Sequence, residues 1–94
     1  MFRVKRPGHE YVINLAGQEV DLVFQNGTVP EVGRNGFQNE EVLEVLIDRM
    51  KYLNGMFACR ENSIVITKLE EALMWLEKRT ADRVKRDVEG KHVV

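Results

Sequence analysis

Two arginines and a threonine near the C-terminus are the residues best suited to chemistry: Arg79, Thr80 and Arg83. They continue an apolar stripe of helical spacing formed by Val65, Ile66, Leu69, Ala72, Leu73 and Leu76. The face that should be buried therefore becomes cationic towards its end. Arg79 and Arg83 are one helical turn apart, so their planar guanidinium groups can hold two phosphates or one pyrophosphate. On spacing alone, a solvated face with ion pairs to Glu77 or Asp82 is the alternative.

Two further side chains, Tyr52 and Asn62, are suited to a nucleotide base. A tyrosine ring can stack on a base, and an amide can donate and accept hydrogen bonds at its edge. The alternatives are ordinary packing for Tyr52 and helix capping for Asn62. Asn62 and Arg79 are 17 residues apart on one predicted helix, which separates them by roughly 25 Å along its axis. A small nucleotide that contacts both must therefore lie between two chains whose helices run antiparallel.

A loop rich in glycine and asparagine is a second candidate for anion binding. Its members are Gln25, Asn26, Gly33, Arg34, Asn35 and Gly36. Glycine and asparagine tolerate left-handed backbone conformations, in which successive N–H groups can point at one anion. Turn formation alone explains the same residue types, so both interpretations stay open.

The sequence carries no recognisable catalytic or metal centre, and we expect a protein that is not an enzyme. His9 and His92 lie near opposite ends of the chain, and Cys59 has no identifiable base partner. Neither metal-ligand spacings of histidine and cysteine nor the glycine fingerprints of P-loop and Rossmann proteins are present. We expect no cofactor and no metal.

Composition predicts one small folded domain that does not bind DNA. The 94 residues are 44% apolar and 31% charged, with a net charge of −1. Between Glu77 and Lys91 there are six basic and four acidic residues, which is too mild a bias for a DNA-binding arm. A single cysteine, no signal peptide and no membrane-spanning stretch predict a cytoplasmic protein.

The first third of the chain predicts a small antiparallel sheet. Its β-rich runs are Phe2–Lys5, Tyr11–Leu15 and Val20–Gln25, and Ala16-Gly17-Gln18 is predicted to form a turn. The dipeptide Asn26-Gly27 is the strongest hairpin signal, because a type I′ turn needs positive φ at both central residues. Thr28-Val29 would then form a short return strand, which Pro30 ends.

The second half predicts a helical hairpin. Asn39 is a good N-cap for the first helix, which Asn54-Gly55 ends. The second helix runs from about Arg60 to about Arg86, and the apolar residues of both helices recur at helical spacing.

These elements together predict an α+β fold in which the sheet packs on the hairpin. The single domain at 1–94 divides into a sheet and loop at 1–36, the hairpin at 39–86 and a tail at 87–94. So few elements leave much apolar surface uncovered, which favours a homo-oligomer.

The chain contains an ordered series of short motifs. They are Phe24-Gln25-Asn26-Gly27, Gly33-Arg34-Asn35-Gly36, Asn39-Glu40, Ile47-Asp48-Arg49-Met50, Phe57-Ala58-Cys59-Arg60-Glu61-Asn62, Glu71-Ala72-Leu73-Met74-Trp75-Leu76, Arg79-Thr80, Arg83 and Val88-Glu89-Gly90. In this order they resemble the phage Thoeris anti-defence sponge family, first type. That family shares a helical-hairpin domain with an anti-CBASS cyclic-nucleotide sponge.

The resemblance implies a viral protein that sequesters immune messengers without cleaving them. The implied ligands are cyclic ADP-ribose isomers, including glyco-cyclic forms, held in a pocket at a dimer interface. By position, the resemblance makes Tyr52 the stacking aromatic and Asn62 the base-contacting amide. It makes Arg79 and Arg83 the phosphate ligands, with Thr80 between them. The family's stacking aromatic is phenylalanine, so the hydroxyl of Tyr52 should alter ligand preference.

The resemblance also implies a second kind of ligand. Some members of the family bind cyclic di- or trinucleotides of CBASS at a separate site and assemble as hexamers, which are trimers of dimers. We place this site at the loop containing Gly33 to Gly36, where Arg34 replaces the small apolar residue expected there. An alternative from a different class is a small dimeric helical adaptor or regulator that binds protein or nucleic acid.

Overall fold

The computed structural model describes residues 1–86, which contain three strands and three helices. They are β1 (Phe2–Arg6), β2 (Glu10–Leu15), β3 (Gln18–Val23), α1 (Val29–Val32), α2 (Asn39–Met56) and α3 (Arg60–Arg86). The predicted α+β class, a small N-terminal antiparallel sheet followed by long helices, is confirmed. One compact unit is Met1–Asn39 and a second begins at Glu40. The predicted tail at 87–94 lies outside the described residues.

The three strands form one antiparallel sheet in the order β1-β2-β3. The turn between β2 and β3 consists of Ala16 and Gly17, whose φ angles are 52° and 91°. Leu15 pairs with Gln18 across it. Two positive φ angles in a two-residue loop define a type I′ turn, whose twist matches that of the strands. The side chain of Asn14 supports the turn by accepting the Gly17 N–H at 2.8 Å.

The predicted hairpin at Asn26-Gly27 is wrong. Thr28-Val29 is not a return strand, because Val29 begins the four-residue helix α1 with a proline in its first turn. Proline fixes φ near the helical value, which overrides the turn signal before it. Thr28 favours the same conformation, since its hydroxyl donates to Glu31 Oε1 at 2.7 Å. The only bridge after β3 in this region of the described chain is a parallel one between Phe24 and Phe37.

The two faces of the sheet differ in polarity. Register places seven apolar side chains on one face: Phe2, Val4, Tyr11, Ile13, Leu15, Val20 and Leu22. On the other face Val12 is only 4% exposed, between the ion pairs Arg3–Glu19 at 3.1 Å and Lys5–Asp21 at 3.3 Å. The aliphatic stems of such charged residues can cover an apolar neighbour. The apolar face stays open within the unit, where Phe2 and Leu15 are more than half exposed.

Helices α2 and α3 form an antiparallel hairpin. One series among the less exposed positions of the two helices recurs at alternating intervals of three and four residues, which is the spacing of a coiled-coil seam. The series is Glu40, Leu43, Ile47, Met50 and Asn54 on α2, and Asn62, Ile66, Leu69, Leu73 and Leu76 on α3. Glu41, Val42 and Leu53 on α2 are also partly buried and flank this series. An ion pair between Lys51 and Glu70 at 3.1 Å crosses the middle of the hairpin. Two members of the predicted stripe, Val65 and Ala72, lie outside this seam and are exposed.

Polar side chains close the turn between the two helices. The predicted C-cap at Asn54-Gly55 is displaced, because α2 continues to Met56. Asn54 instead accepts the Cys59 N–H at 3.1 Å and donates to Ser63 Oγ at 3.4 Å. Its amide therefore ties the end of α2 to the start of α3.

Cys59 occupies the N-cap position of α3, because Sγ accepts the Asn62 N–H at 3.4 Å. Sulfur is a weak acceptor, whereas serine is among the preferred N-cap residues. We expect Cys59→Ser to raise the free energy of unfolding by about 0.5–1 kcal/mol relative to Cys59→Ala. Urea unfolding followed by circular dichroism measures the difference. Equal midpoints for the two variants would show that the side chain at position 59 does not cap α3.

Ala16 is the one non-glycine residue with positive φ among residues 1–86. An L-residue with Cβ pays roughly 1 kcal/mol for this conformation, whereas asparagine is favoured there in type I′ turns. We expect Ala16→Asn to raise the unfolding free energy by about 0.5–1 kcal/mol and Ala16→Val to lower it. Thermal unfolding of the two variants gives the sign. An Ala16→Asn variant less stable than the parent protein would contradict the turn assignment.

Candidate anion-binding site

Arg79 and Arg83 lie one turn apart near the end of α3 and are both exposed. Within residues 1–86, neither guanidinium has a carboxylate within 4.0 Å. The alternative interpretation required ion pairs to Glu77 or Asp82. Asp82 instead pairs with Lys78 at 3.3 Å, and Glu77 forms no ion pair to a described residue. Two adjacent cations are therefore available for an external anion.

The anion would be held by side chains and not by the helix backbone. Arg79 and Arg83 lie in the C-terminal part of α3, where a helix presents carbonyl groups and partial negative charge. The last described turn contains the basic residues Arg83, Lys85 and Arg86, whose positive charges interact favourably with this partial negative charge. A phosphate bound here depends on guanidinium groups, whose fork geometry suits its oxygens.

Thr80 connects the arginine pair to α2. Its hydroxyl donates to Glu40 Oε2 at 3.3 Å. Thr80 and Arg83 continue the seam spacing beyond Leu76, whereas Arg79 lies on the neighbouring exposed face that includes Ala72. The structure thus brings together Arg79, Thr80 and Arg83 at the open end of the hairpin.

Tyr52 and Asn62 lie at the other end of the hairpin. Asn54, which follows Tyr52 by two residues, contacts Ser63, which follows Asn62. Tyr52 is 64% exposed, so it is not a core residue of this chain. The side-chain amide of Asn62 makes no hydrogen bond within residues 1–86, and the cap position that was its alternative role belongs to Cys59. Both side chains are available for a ligand, although far from the arginines of their own chain.

The predicted loop site is held together by its own amide side chains. Gln25 Nε2 donates to Gly33 O at 2.8 Å and to Gly27 O at 3.2 Å, while Gln25 Oε1 accepts the Asn35 N–H at 3.0 Å. Asn35 Nδ2 donates to Asn26 O and Asn35 Oδ1 accepts the Asn26 N–H, both at 2.8 Å. We call this set of bonds between Gln25 and Asn35 the amide clasp. It is the turn chemistry that the sequence offered as an alternative to anion binding.

The amide clasp changes which groups of the loop can meet a ligand. The N–H groups of Asn26, Gly33 and Asn35 already donate within the loop. These three N–H groups are therefore not available to an anion. A Cβ on Gly36 would come within 2.5 Å of the Phe24 backbone, so glycine is required for the loop to close on β3.

An open cavity of about 440 Å³ lies beside this loop. It is lined by Asp21, Val23, Arg34, Gly36 and Phe37. Phe37 is 47% exposed, and Arg34 Nη2 donates to Gly36 O at 3.1 Å. An exposed ring beside a guanidinium suits a planar, negatively charged ligand. The sequence analysis missed Phe37, whose position directly after Gly36 was the only signal.

A family model described as Acb2/Tad1, hairpin domain, matches residues 18–81 of the chain. The chain belongs to the Acb2/Tad1 hairpin-domain family. The match includes the loop, Tyr52, Asn62, Arg79 and Thr80, and ends two residues before Arg83. The resemblance drawn from the short motifs is thus confirmed at the level of the family.

A similar protein from a phage supports the same family assignment. The protein named Thoeris anti-defense 1, from Bacillus phage SBSphiJ7, is 52% identical over 82 residues. The aligned region covers 86% of this chain and 58% of that protein. This member of the Acb2/Tad1 hairpin-domain family therefore spans little more than half the length of that relative.

Proposed function

We propose that this protein is a phage counter-defence sponge that binds cyclic ADP-ribose-type messengers of Thoeris and sequesters them unchanged in the host cytoplasm. Its family and its phage relative, which is named for anti-defence, support the role. We infer an anionic ligand because Arg79 and Arg83 form no ion pair within residues 1–86. A pyrophosphate is the part of such a messenger that paired arginines bind best.

The ligand lies between two chains. Arg79, Thr80 and Arg83 of one copy bind the pyrophosphate, while Tyr52 and Asn62 of a second copy contact the adenine. The hairpin supports this arrangement, because its opposite ends carry the two groups of residues. A homodimer then has two equivalent sites, as expected when two identical chains are related by a twofold axis.

The loop is the candidate second site, for cyclic di- or trinucleotides. The cavity beside Arg34 and Phe37 supports this part of the proposal, and Gln25 and Asn35 hold its shape through the amide clasp. The oligomeric state that we propose is a hexamer built as a trimer of dimers. Such a hexamer would bring several of these loops together.

Calorimetric titration with the cyclic ADP-ribose isomers, followed by chromatography of the released ligand, tests the function. We expect tight binding near one ligand per protomer and recovery of intact ligand after heating. Recovery of cleaved ligand would contradict the proposal that the protein binds its ligand without cleaving it. If neither these isomers nor cyclic di- and trinucleotides bind, the adaptor alternative replaces the sponge.

A further inference from the structure

Glu40 places a carboxylate at the proposed pyrophosphate site. It lies in the first turn of α2 and is partly buried. Its Oε2 atom accepts the Thr80 hydroxyl at 3.3 Å. Thr80 lies between Arg79 and Arg83 in the sequence, so the carboxylate is one hydrogen bond away from the centre of the cationic segment.

The carboxylate is not a counter-ion of the arginines. Glu40 forms no ion pair within residues 1–86, and neither guanidinium lies within 4.0 Å of it. The charge of Glu40 is therefore not neutralised by direct pairing and acts on any anion that Arg79 and Arg83 hold. Its repulsion grows with the number of negative charges that the anion carries.

The Thr80 hydroxyl has a single proton to donate. While that proton is donated to Glu40, the oxygen of Thr80 presents lone pairs to an approaching phosphate. Phosphate oxygens are acceptors too, so Thr80 can bind the pyrophosphate only when its hydroxyl proton leaves Glu40. A strongly charged anion therefore finds two cations and one carboxylate at this end of the hairpin.

Nucleotides differ in the charge of their phosphates. A pyrophosphate esterified at both ends, as in a cyclic ADP-ribose, has one ionisable oxygen on each phosphate. The terminal phosphate of ADP or ATP loses a second proton with a pKa of about 6, so it carries additional charge at neutral pH. A carboxylate beside the site penalises the terminal phosphate more than the doubly esterified pyrophosphate.

We propose that Glu40 is a specificity-determining residue, which selects doubly esterified pyrophosphates over nucleotides with a terminal phosphate. The inference rests on the proposed function, because it assumes that Arg79 and Arg83 bind phosphate. Such selection matters in a cytoplasm, because ATP is abundant there. A sponge without such selection would be occupied by metabolites before an immune messenger is made.

The test is titration of the parent protein and Glu40→Gln with cyclic ADP-ribose isomers, linear ADP-ribose and ADP. Glutamine keeps the acceptor for Thr80 and removes the charge. We expect Glu40→Gln to tighten ADP binding about 10-fold and binding of the two esterified pyrophosphates about 3-fold or less. Glu44→Gln is the matched control, since it removes an exposed charge one turn along α2 and should change no affinity.

The inference is overturned if Glu40→Gln leaves ADP binding unchanged, if it improves all ligands equally, or if Glu44→Gln has the same effect. Urea unfolding of Glu40→Gln separates a loss of helix stability from a change in selectivity. Failure of the parent protein to bind any cyclic isomer would reject the proposed function alone. ADP and linear ADP-ribose would still measure selection by Glu40, and no binding of either to both proteins would reject it.

Discussion

Replacement of Arg83 by alanine is expected to weaken binding of cyclic ADP-ribose isomers by about 30- to 1000-fold. Loss of one partner in a desolvated, charge-assisted contact costs about 2–4 kcal/mol, and each 1.4 kcal/mol is about tenfold in Kd. Arg79→Ala should have an effect of similar size, since the two guanidinium groups bind one pyrophosphate. Isothermal titration measures both variants.

Arg86→Ala provides the matched control for this prediction. Arg86 is also exposed near the end of α3, and its removal changes the net charge by the same amount. If binding depends on the specific pair, Arg86→Ala should retain nearly all affinity. Equal losses for Arg83→Ala and Arg86→Ala would mean that the segment attracts anions only through its overall charge, and the pyrophosphate site would be wrong.

Mixing two inactive variants should restore half of the binding sites. Asn62→Ala and Arg83→Ala each damage both sites of a dimer when either variant is alone. In a mixed dimer, one site receives both substitutions and the other receives none. We expect co-expressed, doubly tagged dimers to bind about one ligand per dimer with the parent affinity, because a symmetric two-chain site recombines in this way.

The stoichiometry of the mixed dimer is the decisive measurement. A site built within one chain predicts no recovery, since every chain in the mixture carries a damaging substitution. Dimers of each single variant, purified with the same two tags, are the controls for tag effects and incomplete mixing. Recovery with full occupancy of both sites would also contradict the arrangement, because one site must keep both substitutions.

The elements that depend on local pattern could be predicted from the sequence. Helices α2 and α3 follow from long apolar periodicity, and β1 and β2 from short β-rich runs. The hairpin predicted at Asn26-Gly27 failed because a dipeptide signal competes with the residues after it, and Pro30 favours a helical turn. The turn predicted at Ala16-Gly17-Gln18 is confirmed, and its two central residues are Ala16 and Gly17.

The candidate site could be predicted from the sequence only in part. Arg79 and Arg83 could be found because helical spacing fixes which side chains share a side of α3. Glu40 could not be found in this way, because its contact with Thr80 joins residues 40 positions apart. The amide clasp could not be predicted either, because the sequence gives the positions of Gln25 and Asn35 but not the hydrogen-bond partners of their amides.

The seam of the hairpin limits how this protein can diversify during evolution. An inserted single residue would rotate every later seam position on α3 out of register with α2. Insertions that preserve the alternating pattern come in sevens, each adding about 10 Å of helix. The distance between the Tyr52–Asn62 end and the Arg79–Arg83 end of one chain therefore changes only in large steps, and the spacing of the two sites of the proposed dimer changes with it. Adaptation to a new messenger should then proceed by side-chain replacement within a helix of fixed length.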